Sequence, residues 1–436
     1  MVQFARSFRG AALAAATISL LGCAHQQGEK GESAFGITAA SHEEAPLSDR
    51  PLTSDRAVAV ALRDHPALRI AAAGERLAAA DLLGAQTLPN PTLTLLDPVG
   101  AGVVEGSIVV PFDFLTRGPK IAAARARLEA AELDTLHASI TLIRDVRHAF
   151  TVAQAAERRA VLLAADADAL GQLANIARNS ADVGRGTGLN AVAARSTALA
   201  ASAAAERARA DAEIAKAALE AYLGMPLGDA TLSEEMAPPN SQLPSLSGLI
   251  DAALSARPDV LAAQRRRQAA LRDGHGRVVD ALAPSGYVDL AKQPSEPLQF
   301  SGGGGLAIPI FDRGQAARRR AAARVEESEA RLEALSRTAR EEVTSARLAY
   351  QNALQQDADY ANDILPSAEH RLTLTQKSFE LGRATLTDVL IARRDLVAIQ
   401  QAKADTAAAA AMAWADLQYA MGAGPALLPT PGKGER

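Results

Sequence analysis

Few side chains in this 436-residue chain could do chemistry, and they are scattered. Cys23 is the lone cysteine, which excludes an intrachain disulfide. Seven histidines, His25, His42, His65, His137, His148, His275 and His370, stand at no spacing that would let two of them, or one with the cysteine, share a metal. The sequence has no glycine-rich phosphate loop, no serine nucleophile elbow and no defensible pair of catalytic carboxylates. An enzyme has no constellation to rest on, and neither a metal nor a cofactor is expected. One acid stands apart: Asp388, shortly after the break at Gly382-Arg383-Ala384. Its plain reading is a helix cap. The net charge of −4 comes from mixed signs along the whole chain, so there is no basic footprint for nucleic acid.

The elements that hold these residues come in duplicate. Val109 to Glu132 (VVPFDFLTRGPKIAAARARLEAAE) returns as Ala307 to Ala330 (AIPIFDRGQAARRRAAARVEESEA), and Asp182 to Val192 returns as Glu380 to Leu390. The offset stays near about 195 residues, far beyond a solenoid repeat, so a half-protein has been doubled. Alanine dominates the apolar residues and aromatics are only 3%, which favours close-packed helices over a large globular core.

In the first half a helix is expected from about Arg56 to Thr87, capped by Ser54 or Asp55 and ended by Pro89 and Pro91. A hairpin follows from Pro91 to Phe112, turning at Asp97-Pro98-Val99-Gly100. Next comes a long helix from about Pro119 to Val183, with Pro119 in its first turn and Leu136, Ile140, Ile143, Val146 and Phe150 stepping by three or four. Such a rod, about 95 Å long, must lie along other rods. Gly184, Gly186 and Gly188 break it, and Asn190 can cap the next helix, which runs to Tyr222. The second half repeats the plan: helix Leu246 to Leu282, hairpin Pro284 to Phe311, long helix Arg313 to Leu381, a break at Gly382, and a helix to Met421. The glycines of Arg117-Gly118 and Arg313-Gly314 mark the strand-to-helix junctions. Arg318-Arg319-Arg320 read first as a solvated helix face, and alternatively as a phosphate contact near lipid headgroups.

The hairpins are short for a membrane, where a strand needs about nine to eleven residues. Glu105, Asp289, Lys292, Glu296 and the Gly302–Gly305 run all weigh on them. Beyond the leader no stretch reads as a transmembrane helix, so a membrane crossing would require a closed barrel of strands.

The leader, Arg6 and Arg9 followed by an apolar run from Ala11 to Leu21, is an export signal. Leu20-Leu21-Gly22-Cys23 resembles a bacterial lipobox, which implies cleavage before Cys23 and acylation of it; a plain signal peptide is the alternative. Ala24 next to it, by the same resemblance, favours the outer membrane. The chain then divides into a signal peptide (1–22), a lipidated tether (23–53), a first repeat (54–224), a linker (225–247), a second repeat (248–422) and a loose tail (423–436).

His65-Pro66 with Leu88-Pro89-Asn90-Pro91, Arg257-Pro258-Asp259, Ile308-Pro309-Ile310-Phe311-Asp312-Arg313-Gly314, and Phe379-Glu380-Leu381-Gly382 followed by Thr387-Asp388-Val389-Leu390 resemble the TolC-like outer membrane efflux channels. The resemblance runs from about residue 54 to 422. It implies a mainly α fold with short β-hairpins, internally duplicated, in which three copies close an outer membrane β-barrel above a long periplasmic α-barrel. It also implies a periplasmic adaptor and an inner membrane transporter as partners, contact with outer membrane lipids, and an exit duct with no chemistry of its own. A lipid-anchored coiled-coil scaffold and a type I secretion duct are the alternatives. By the same resemblance Asp388, with Asn190 as its uncharged counterpart, rings the pore entrance. Phe379 stands where relatives place a tyrosine lock, and Ala384 where some place an arginine. Gly184, Gly186, Gly382 and Arg383 belong to the tip that docks the adaptor.

Overall fold

A computed structural model describes residues 51–96, 104–112, 114–184, 186–228, 230–233, 243–280, 284–292, 297–305, 308, 310–311 and 313–422. Cys23, its leader, the tether up to Arg50, the Asp97–Gly100 turn and the tail from residue 423 lie outside them.

The elements follow one another as α1 (Ser54–Asp64), α2 (Pro66–Gln86), β1 (Thr92–Leu96), β2 (Val104–Pro111), α3 (Phe114–Asp182), α4 (Gly188–Leu223), α5 (Leu246–Ala256), α6 (Pro258–Asp280), β3 (Ser285–Lys292), β4 (Gln299–Gly305), α7 (Gln315–Asp359), α8 (Leu365–Glu380) and α9 (Leu386–Ala420). The order of the first six returns in the remaining seven, with α7 and α8 together answering to α3, so the duplication read from sequence is a duplication of structure.

Several boundaries differ from expectation. The first helix of each half is two helices. At His65-Pro66 the proline cannot continue the hydrogen-bond ladder, and the His65 Nδ1 instead accepts from the Ala67 N–H at 3.2 Å. Arg257-Pro258 breaks the second half in the same way. Thr53, not Ser54 or Asp55, caps α1. Helix α3 begins five residues before Pro119, which sits inside its second turn and removes one bond near the helix end. Its 69 residues span about 100 Å. An 18-residue window of α3 reaches a mean hydropathy of 1.2, the level of a membrane span, although no such stretch was expected. Alanine and leucine supply that value, and the helix is several times longer than a bilayer is thick. Between α7 and α8 the ladder widens into a single π turn, Tyr360–Ile364, where the Leu365 N–H reaches back to the Tyr360 carbonyl. The wider turn accommodates Pro366, whose ring would collide with a carbonyl one turn earlier.

Each half has its own apolar core at mid-length. In the first, Val146, Phe150, Leu219 and Leu223 pack around Leu52, Leu227 and Leu232. Leu52 and Leu232 form a parallel bridge, the Leu52 N–H donating to the Thr231 carbonyl at 2.8 Å. The last tether residues and the first linker residues are thus part of this core. In the second, Val343, Tyr350 and Leu417 pack with Trp414, the Tyr350 and Trp414 rings 5.1 Å apart.

The halves meet along α3, which touches both α6 and α9. Charge stitches this seam: Arg265 to Glu129 at 3.2 Å, Arg266 to Asp134, Arg127 to Asp273, Arg159 to Asp405 at 3.5 Å, and Arg393 to Asp166 at 2.7 Å. The strands form one antiparallel sheet in the order β1-β2-β3-β4, with β2 and β3 joining the halves. Helix contacts repeat that order, α2–α3–α6–α7 beside the sheet and α4–α3–α9–α8 toward the other end.

Candidate functional site: a glycine-broken helical tip and an amphipathic sheet

Two chemically distinct ends emerge. At the first, each long helix is turned by a left-handed residue, a conformation that suits glycine: Gly184 at φ 73° and Gly382 at φ 70°. The turns are near copies. The Gly186 N–H donates to the Ser180 carbonyl at 2.9 Å, and the Ala384 N–H to the Ser378 carbonyl at 3.2 Å. A threonine then caps the returning helix, Thr187 for α4 and Thr385 for α9.

Asn190 and Asp388 therefore occupy the same place, three residues past the cap, and neither is the cap residue expected of it. Threonine has that post because its Oγ1 accepts from the N–H three residues on, 3.2 Å in both halves. In the second half the box closes: Asp388 Oδ2 accepts from the Thr385 N–H at 2.8 Å and from the Thr385 hydroxyl at 2.7 Å. The bond from the Thr385 hydroxyl, and then that from its N–H, hold the Asp388 carboxyl below the ordinary carboxylate range. It is fully solvent-exposed and stays ionised.

The two turns belong to one end of the molecule. Leu386 of α9 packs on Ala177 of α3 and Ala194 of α4, flanked by Leu173 and Leu390. Arg393 of α9 reaches the buried Asp166 of α3, and Asp395 accepts from Arg371 of α8 at 2.6 Å. Phe379 is exposed, less so than Val183, Leu189 and Leu381, which stand out in solvent at 70%, 78% and 69% exposure. Sequence reasoning missed Asp166 and Arg393, which lie 227 residues apart with no local signature.

At the other end the register sorts the sheet into two faces. Leu93 pairs with Ile108, Ile108 with Val288, and Leu290 with Phe300, so these side chains share one face with Leu95 and Val110. Thr92, Thr94, Glu105, Ser107, Asp289, Gln299 and Ser301 share the other with Leu96, Val109 and Tyr287. Glu105 and Asp289, which weighed against a membrane sheet in the sequence, fall together on the polar face, whereas Lys292, the last residue of β3, stands on the apolar side at its edge. The glycines of β4 also have a use. A Cβ on Gly303 would meet the Tyr287 ring at 2.6 Å, and one on Gly286 would meet the Phe112 ring at 2.8 Å. The apolar face is open: Leu95 and Phe300 are 69% and 68% exposed.

At the strand–helix junctions, Gly314 is left-handed (φ 74°) and opens α7, as expected of a sharp turn. Arg117 and Gly118 differ. They lie inside α3, whose start five residues upstream of Pro119 absorbs them, and the Arg117 guanidinium donates to the Gln86 carbonyl at the end of α2. Among the described residues no group of histidines, cysteines and acids could hold a metal ion.

Comparison with known proteins matches this geometry. Residues 280–423 match the family described as outer membrane efflux protein. No curated protein matches the chain by sequence. The solved CusC channel superposes with a TM-score of 0.73 at 18% identity, covering 88% of this chain and 96% of that one. VceC from Vibrio cholerae gives 0.70 at 19%, covering 85% and 96%. The open-state MtrE channel of Neisseria gonorrhoeae gives 0.68 at 18%, covering 91% and 97%. The fold is TolC-like, mainly helical with short strands.

Proposed function

We propose that this chain, TolC-like in fold and an outer membrane efflux protein through its second half, is the exit duct of an efflux system, assembled as a homotrimer in the outer membrane. The observation that carries the reading is the sheet: four strands, one face apolar and exposed, with β1 and β4 each keeping an unpaired edge. Water suits neither feature. Lipid covers the apolar face, and the free edges close when β4 of one copy pairs with β1 of the next. Three copies of four strands give a closed barrel of polar lumen. The helices are open at the same edges, α2 and α4 on one side and α7 and α8 on the other, so the same rotation extends the tube below the sheet. A coiled-coil scaffold would have no use for the apolar face, which is why the channel is preferred.

In this arrangement Asp388, Asn190 and Phe379 lie at the periplasmic mouth, with the three Asp388 carboxylates forming an anionic ring. The exposed Val183, Leu189 and Leu381 beside Gly184, Gly186, Gly382 and Arg383 offer an apolar tip to a periplasmic adaptor, which would couple the duct to an inner membrane transporter. Arg313 and Gly314 turn the chain from barrel to helix, and Arg117, beside Gly118, ties α3 to α2 there. A lipid on Cys23 would add to the anchoring. CusC is a transmembrane channel by its own description.

The test is conductance. Purified full-length protein in a planar bilayer is expected to give discrete steps, and a folded trimer that stays silent would overturn the reading. Crosslinking from position 383 in cells would identify the adaptor.

A further inference from the structure

We propose that the sheet-proximal starts of α3 and α7 form a cationic collar that binds the phosphates of anionic phospholipids, with a seat in the cleft between α6 and α7. The inference rests on the membrane placement of the sheet proposed above.

Charge is the first observation. Residues 114–128 contain Arg117, Lys120, Arg125 and Arg127 and no acid; residues 313–325 contain Arg313, Arg318, Arg319, Arg320 and Arg324 and no acid. Counting the flanking Asp113 and Asp312, nine cations face two acids in the sequence of these starts. From Glu326 onward the signs mix again.

Pairing is the second. Further along α7, Arg331 and Arg337 are neutralised by Glu327 and Glu333 one turn back. Arg319, Arg320 and Arg324 are exposed and pair with no acid among the described residues. The helix neutralises its arginines away from the sheet and leaves them bare beside it.

Position is the third. Arg318, Arg319 and Arg320 are the fourth to sixth residues of α7, within about 10 Å of its start. The headgroup layer beneath the hydrocarbon is about 5–8 Å deep on each side, so these guanidiniums reach it from a sheet that sits in the hydrocarbon.

The cleft supplies the seat. Arg320 and Arg324 border a hollow of about 90 Å³ floored by Ala270 and Ala321, which shares Arg324 with a larger groove of about 720 Å³ between α6 and α7. Asp273 also lines it, but its charge is taken by Arg127 of α3. A phosphodiester can be held by the two arginines while the glycerol end lies on alanine. Arginine suits this work, since its planar donors grip phosphate in pairs.

The experiment titrates the full-length protein, in zwitterionic detergent, with short-chain phosphatidylglycerol, short-chain phosphatidylcholine and inorganic phosphate, followed by calorimetry. Saturable binding of phosphatidylglycerol alone is expected. It should weaken roughly tenfold or more in R318Q/R319Q/R320Q/R324Q, as arginines near a charged surface contribute, and R337Q, outside the groove, should leave it unchanged. Raised salt should weaken the wild type in the same direction, a readout that survives if the multiple variant does not fold. Indistinguishable binding of the two lipids, or an unchanged folded variant, would overturn the proposal. Inorganic phosphate binding as tightly as phosphatidylglycerol would also overturn it, assigning the cleft to a free anion. Conductance in phosphatidylcholine bilayers reads the channel separately, so the two failures are distinguishable.

Discussion

Arg393 Nε donates to Asp166 Oδ1 at 2.7 Å, joining α9 of the second half to α3 of the first just above the tip. Asp166 is the more deeply buried partner, its side chain 10% exposed against 25% for Arg393. Removing one member of a buried pair strands the other, and the cost falls on the charge that cannot reach water. Arg393→Ala is therefore expected to destabilise by about 3 kcal/mol. Asp166→Ala should cost less, about 1–2 kcal/mol, since the arginine can extend to solvent. Thermal melts of both single variants and the double variant check the order and the coupling. Equal, additive and small losses would show the pair to be a surface contact.

The two faces of the sheet give adjacent residues opposite tolerances. Val288→Arg puts a cation on the apolar face and is expected to cost about 2–4 kcal/mol at mid-membrane. Asp289→Arg, the next residue, points to the polar face and should fold and insert. Yield of heat-modifiable trimer in outer membranes separates the two. The idea fails if Asp289→Arg is the variant that is lost.

These residues also show what could be read from sequence. The tip was legible because a left-handed turn leaves a local mark, glycine at 184 and 382, between two long helical runs. The sheet faces were not legible, since they depend on register, which is a relation between strands. Glu105 and Asp289 looked like defects singly, and pairing β2 with β3 places both on one side. The Asp166–Arg393 pair and the Leu52–Leu232 bridge are likewise long-range. The breaks at His65-Pro66 and Arg257-Pro258 were written locally and overlooked: proline sits at the first position of the second helix, where it is tolerated, so the apolar pattern runs on through it.

Gly422 makes the sharpest packing prediction. Its φ is +66°, and a Cβ there would stand 2.7 Å from the Arg257 Cα, which is backbone and cannot step aside. Arg257 is itself only 3% exposed, held by Asp259 at 2.8 Å and by the Ala420 carbonyl at 3.2 Å. Gly422→Ala is expected to cost more than about 2 kcal/mol, the left-handed penalty plus displacement of that cluster. Gly184→Ala, left-handed with open space around it, should cost only the backbone penalty, about 1 kcal/mol. Melting temperatures of the two variants decide, and equal losses would mean the Arg257 contact contributes nothing.

The α3–α9 seam should respond to pH through His148. Its Nε2 lies 3.0 Å from Asp416 Oδ1, and this contact raises the His148 pKa above its usual value, against the opposing effects of burial and of Arg144. A raised folded-state pKa stabilises below the unfolded value, near about 6.5, and that stabilisation is lost as pH rises through the folded value. Wild type should therefore exceed His148→Gln in melting temperature more at about pH 6 than at about pH 8.5. A difference that stays flat across that range would remove His148 from the seam's energetics.

Asp388 carries the last prediction, and its sign runs the other way. Its pKa is lowered by the Thr385 hydroxyl and then by the Thr385 N–H, so its contribution is complete above the ordinary carboxylate value and disappears only as pH falls through the depressed one. In the proposed trimer, three such charges at the periplasmic mouth should make the duct prefer cations, and the preference should persist to about pH 4, where an ordinary aspartate is half protonated. Asp388→Asn should reduce that preference at neutral pH while keeping much of the cap. Thr385→Val removes the hydroxyl that both donates to the carboxylate and accepts from the Asp388 N–H, so it should raise the titration midpoint and fray the start of α9. Reversal potentials across a salt gradient, taken against pH for the three proteins, measure each effect. If Asp388→Asn leaves the reversal potential where it was, the carboxylate serves the capping box with Thr385 alone and the mouth draws its selectivity from elsewhere.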